Sequence, residues 1–167
     1  MPDAIEANKD LLDKLQAIRL AASVAMGVTA NEEEARAKRL VPFIGFVSKP
    51  QDSDSLTGER VLGQDVDLSA RIISNGQPHR ALPLAATLCM AVAARIKGSV
   101  VNTVTREPSD PDEVIRIAMP SGILTVAASV KNKAGVWVAE QGAFYRTQRR
   151  LFDGHVYMSA AKVSPTL

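Results

Sequence analysis

From Asn8 onward, Leu11, Leu12, Leu15, Ile18, Ala22 and Met26 recur at helical spacing, with Asn8 placed to cap the start and Gly27 to stop the end. This spacing predicts an amphipathic helix. Glu32, Glu33 and Glu34 then precede Arg36, Lys38 and Arg39 at intervals of three and four, the pairing of a solvated helical turn. Residues 41–47 form a short apolar run opened by Pro42 and read as a buried strand; residues 49–58, rich in Pro, Asp, Ser and Gly, read as a loop. Leu68, Ile72 and Ile73 predict a short helix ending at Asn75-Gly76.

Between residues 78 and 96, Leu82, Leu84, Leu88, Met90, Val92 and Ile96 sit among so many alanines that no polar face remains, which predicts a buried helix. Proline is tolerated in a first helical turn, so Pro83 puts the N-cap near Arg80 and leaves His79 and Arg80 at the helix entrance. Beyond Gly98 the pattern changes to strands over 100–105, 114–119, 123–130, 136–146 and 155–159. The turns between them are short, which makes neighbours antiparallel. Burying helix and sheet together gives an α+β fold, a mostly antiparallel sheet wrapped around a buried central helix.

The 167 residues are 46% hydrophobic and 23% charged, the composition of one globular domain. A formal charge of +2, with few aromatic residues and none interleaved with basic ones, argues against a nucleic-acid partner. The longest uncharged stretch, residues 81–94, falls short of the about 20 apolar residues of a membrane span, and nothing at the start reads as a signal peptide. No membrane partner is expected, and the expected location is cytoplasmic. Cys89, the single cysteine, lies well inside the apolar helix and reads as a packed core thiol; with no CxxC pair or Cys/His cluster, no metal site is expected.

The candidate chemistry gathers in residues 75–80, where Gly76 permits close backbone approach just before a helix N-terminus whose free N–H groups favour an anion. Arg80 at that positive end calls for a compensating negative charge, and a neutral His79 would donate a hydrogen bond. Spacing alone leaves open the alternative that His79 caps the helix and Arg80 points to solvent. Thr57-Gly58 and Ser121-Gly122 are turn residues first and carboxylate contacts second. Arg146, Arg149 and Arg150 read as a solvated strand end, and no Ser-His-Asp set, Walker loop or GxGxxG is present.

Residues 72–81 (Ile-Ile-Ser-Asn-Gly-Gln-Pro-His-Arg-Ala), residues 89–96, the Met119-Pro120-Ser121-Gly122 turn and residues 145–151 together resemble the PrpF family, in the same order from about Pro2 to Tyr157. That family contains methylaconitate and aconitate isomerases and oxalomesaconate tautomerase. Its members are roughly twice this length and resemble diaminopimelate epimerase, with two similar domains, each a sheet around a central helix. The resemblance implies that this chain corresponds to the C-terminal domain and that the N-terminal domain, which carries the acid/base lysine and cysteine, is absent.

It implies a 1,3-proton shift in a small di- or tricarboxylate, without organic cofactor or metal. Gly76, Gln77, His79 and Arg80 would face the substrate cleft, with Thr57, Gly58, Ser121 and Gly122 as weaker candidates and no catalytic residue in this chain. Gln77 stands where many members have lysine, and Ala85-Ala86-Thr87 replaces Thr-Gly-Ala. The implied partner is the missing domain or a second copy. The same architecture also accommodates a non-catalytic binding or assembly domain, or a hot-dog thioesterase or dehydratase.

Overall fold

The computed structural model describes residues 1–110, 113–145, 149–155, 157 and 159. A short α1 (Pro2–Glu6) precedes α2 (Lys9–Ala25), whose cap is Asn8, its side chain accepting from the Leu11 N–H at 3.0 Å. Gly27 ends the helix at φ +69°, a left-handed conformation that favours glycine. Leu15 packs with Ile5 and Ile73, whereas Ile18 and Met26 are exposed, so the buried stripe is narrower than the spacing predicts. The acidic and basic run forms α3 (Glu32–Ala37), with Lys38 paired to Glu34 at 2.9 Å.

β1 (Ile44–Ser48) is half-exposed, not buried, because it forms one edge of the sheet and has a single neighbour. The segment expected as a loop carries β2 (Ser53–Asp54), which pairs with β3 (Arg60–Val61) in a small separate hairpin. The helix expected around Leu68 and Ile72 is instead β4 (Leu68–Ser74), a central strand. Leu68, Ala70 and Ile72 face one core and Ile73 the other, so the alternation that marks a strand is missing. Asn75-Gly76 is the two-residue turn of a hairpin, with φ of 50° and 76°, leading into β5 (Gln77–Pro78).

α4 (Leu84–Arg95) is the central helix, its Met90, Ala91 and Ala94 packed with Leu68, Ile72, Ile115, Ile117, Leu124 and Val126. Its flank is not enclosed: Ala85 and Cys89 are exposed, so Cys89 is not the core thiol that the apolar run predicts. Residues 100–105, expected as a strand, form α5 (Val100–Val104), capped by Ser99, whose hydroxyl accepts from the Asn102 N–H at 3.0 Å. The Asn102 amide in turn donates to the Ala94 carbonyl at 2.8 Å, so local caps and contact with α4 override the β-branched composition.

β6 (Ile115–Met119), β7 (Gly122–Lys133) and β8 (Val136–Phe144) follow as expected, joined antiparallel by tight turns. The sheet order is β1-β4-β6-β7-β8 with β5 beside β4, and one pair is parallel, β4 with β6, where Leu68 lies opposite Ile117. The result is the expected α+β architecture, a mostly antiparallel sheet around α4. The strand expected at 155–159 lies partly outside the described residues; His155, Tyr157 and Ser159 are not in a strand. Among the described residues no helix is long and apolar enough to cross a membrane.

Candidate functional site

The entrance to α4 is displaced along the chain. Its N-cap is Pro83, at φ −61° and ψ 136°, and not a residue near Arg80. The reason is steric: a proline disfavours helical backbone in the residue before it, so Leu82 lies outside the helix and the first turn begins after the proline. Thr87 closes that turn, its N–H and its hydroxyl both donating to the Pro83 carbonyl at 2.9 Å. The N–H groups of Leu84, Ala85 and Ala86 have no side-chain cap and no acceptor among the described residues. These amides, at the positive end of the helix dipole, are the anion-directed groups that the sequence reading placed earlier in the chain.

Two hydrogen bonds bring other loops to this end of the helix. The Leu82 N–H donates to the Met119 sulfur at 3.4 Å, which docks the entrance on the end of β6. The Leu56 N–H donates to the Pro120 carbonyl at 2.7 Å, which docks the β2–β3 turn on the β6–β7 turn. These two bonds tie the segments carrying Thr57-Gly58 and Ser121-Gly122 to each other and to Leu82, two residues before α4. Buried Ser55 organises its turn: its hydroxyl lies 2.8 Å from the Thr57 hydroxyl and accepts from the Glu59 N–H at 3.0 Å. The Ser121 side chain is exposed and has no hydrogen-bond partner among the described residues.

The other expected residues stand apart from the first turn. His79 extends the β4–β5 hairpin, its N–H donating to the Ile72 carbonyl at 2.8 Å, and its Nε2 is 2.8 Å from the Ser74 hydroxyl while the ring tilts against Phe43. The Arg80 guanidinium donates to Asp3 of α1 at 3.2 Å across an exposed ion pair. Gly76 and Gln77 are at and beside the hairpin tip, both exposed.

Arg71 escaped the sequence reading because a helix was expected there. It is half-buried on the sheet face opposite α4, and its Nη1 donates to the Ala70 carbonyl at 2.7 Å and the Ala118 carbonyl at 3.4 Å. Burial pushes its pKa down. Reading residues 68–74 as a strand places Arg71 between core positions and is the signal that would have found it. At the opposite end of α4, a cleft of about 560 Å³ is bordered by Asp67, Arg95, Arg106 and Arg116. There Asp67 holds Arg116, which raises the Arg116 pKa, so this cluster is a structural ion network. Among the described residues no group of three or more His, Cys, Asp or Glu is arranged to hold a metal ion.

The model of the PrpF protein family matches residues 1–159. The chain is 41% identical over 164 residues to 3-methylitaconate isomerase of Eubacterium barkeri, a match covering 97% of this chain and 42% of that protein. It is 31% identical over 156 residues to 2-methyl-aconitate isomerase of Shewanella oneidensis, covering 93% of this chain and 39% of the relative. The crystal structure of methylitaconate-delta-isomerase superimposes with a TM-score of 0.74 at 34% identity, over 87% of this chain and 40% of that one. The fold is therefore diaminopimelate epimerase-like, and the chain spans about two fifths of the length of these relatives. By a family match over nearly its whole length and by its fold, the chain belongs to the PrpF family.

Proposed function

We propose that this chain is the substrate-binding half of a cytoplasmic PrpF-type isomerase, corresponding to the C-terminal domain, and that it holds a carboxylate of an aconitate-like di- or tricarboxylate at the α4 entrance. The observation that supports this most is the convergence of three uncapped helix amides, those of Leu84, Ala85 and Ala86, with the Thr57-Gly58 and Ser121-Gly122 turns. His79 and Arg80 stand on the loop that leads into this entrance, and Gly76 and Gln77 precede them on the same hairpin.

In the reaction, a base on the companion domain removes a proton from the allylic carbon, γ to the conjugated carboxylate. The electron pair spreads into the conjugated system as a dienolate, and protonation at the far carbon leaves the double bond shifted. Negative charge grows on the carboxylate oxygens during the first step. Fixed N–H donors at a helix N-terminus stabilise that charge without reorganising. The exposed α4 flank at Ala85 and Cys89 is the surface that the companion domain, or a second copy, would cover.

The test is calorimetric titration of cis-aconitate into the native chain and into Ser121→Ala, Thr57→Val and Arg80→Ala. Loss of a hydroxyl contact weakens binding by about 0.5–1.5 kcal/mol. Arg80→Ala changes it by less than about 1 kcal/mol, because an exposed ion pair with Asp3 already occupies the guanidinium. Equal binding by native, Ser121→Ala and Thr57→Val chains, or no binding at all, removes the site from this end of α4.

A further inference from the structure

We infer that the cleft between α2, α3 and the β4–β5 turn binds a small, multiply charged oxyanion, with phosphate or carboxylate groups held by Arg19, Arg36 and Arg39. Arg19 is only 4% exposed, and none of the ion pairs among the described residues includes it. Its guanidinium donates to the Gln16 side chain at 3.1 Å, the Lys38 carbonyl at 3.1 Å and the Ala35 carbonyl at 2.9 Å. Carbonyls at the end of α3 offset part of its charge by their dipoles, but a buried cation ordinarily has a full anionic partner.

Among the described residues Arg19 has no such partner, and its surroundings add further positive charge. Arg36 and Arg39 are exposed, and their guanidiniums make neither an ion pair nor a side-chain hydrogen bond among the described residues. With Arg19 and Gly76 they line a cleft of about 390 Å³, whose described lining residues include three arginines and a single acidic residue, Asp13. Three planar guanidinium forks around one opening repel each other when empty and match the paired oxygens of carboxylate or phosphate when filled. The turn side is open, with nothing within 4 Å of the point where a side chain at Gly76 would begin. The cleft involves none of the α4 entrance groups, so it stands or falls separately from the substrate site.

The experiment is titration of pyrophosphate and, separately, of citrate into the native chain and into the double variant Arg36→Gln/Arg39→Gln, against sodium chloride of equal ionic strength. Binding is followed by calorimetry and by amide NMR. At least one of the two anions is expected to bind the native chain saturably, with shifts at Asn75 and Gly76, and to bind the double variant at least tenfold more weakly. The phosphate and carboxylate arms identify which oxyanion the cleft takes. Undiminished binding by the variant, native binding no stronger than the chloride control, or shifts confined to Leu84, Ala85 and Ala86 overturns the inference. Should the double variant fail to fold, the amide map of the native chain decides alone.

Discussion

The purified 167-residue chain is expected to show no double-bond migration in cis-aconitate or related tricarboxylates, a deficit of at least about 10⁴-fold against a complete family member. A 1,3-proton shift needs a positioned base and a positioned acid, and each contributes on the order of 10²–10⁴ to the rate. The groups assembled at the α4 entrance are helix amides, the Thr57 and Ser121 hydroxyls and two glycine turns, none of which is a base near neutral pH. His79 stands on the approach loop with Nε2 held by the Ser74 hydroxyl. The chain spans about two fifths of the length of its relatives, and we propose that the lysine and cysteine doing proton transfer belong to the remainder. Ultraviolet assay of the chain alone, then with a separately expressed companion domain of the family, checks this. Activity is expected in the mixture only; steady turnover by the pure chain contradicts it.

Asp67→Ala is expected to destabilise the fold by about 2–4 kcal/mol, since it strips a buried carboxylate from several donors at once. The Arg116 backbone N–H donates to Asp67 at 2.7 Å, its Nε at 3.2 Å and its Nη2 at 3.0 Å, while Arg106 approaches to 3.9 Å. This cluster sits where the parallel pairing of β4 and β6 begins, at Leu68 and Ile117. Removing it leaves a backbone donor without its acceptor and takes from Arg116 its nearest carboxylate, leaving Glu113 at 3.9 Å. Arg116 keeps about a third of its side chain in water, so the cost stays below that of a fully enclosed pair. Urea unfolding at constant slope measures it, and a loss under about 1 kcal/mol contradicts the assigned role.

Legibility in the sequence followed the local signals. Asn8 and Gly27 bracket α2 because a side-chain cap and a left-handed stop act within a few residues. Strands β6 to β8 were readable from compact apolar runs between turn residues. Two elements and one side chain depended on distant contacts and were misread. β4 has both faces buried, so Leu68, Ile72 and Ile73 mimic a helical stripe. α5 carries Val100, Val101 and Val104, a strand-like composition, yet Ser99 and Asn102 tie it to α4 as a helix. Cys89 lies in an apolar stretch whose flank this chain does not cover, which no count of apolar residues reveals. The α4 entrance was misplaced for a different reason, the weight given to Pro83 as a first-turn residue over its restriction of Leu82.

Amide NMR during titration of cis-aconitate into the isotope-labelled chain tests the substrate site most directly. Saturable shifts are expected at the N–H groups of Leu84, Ala85 and Ala86, which have no acceptor among the described residues, together with Gly58 and Gly122 of the two turns. Silence at those amides while the ligand binds elsewhere, or while no ligand binds at all, contradicts a carboxylate site at the entrance of the central helix.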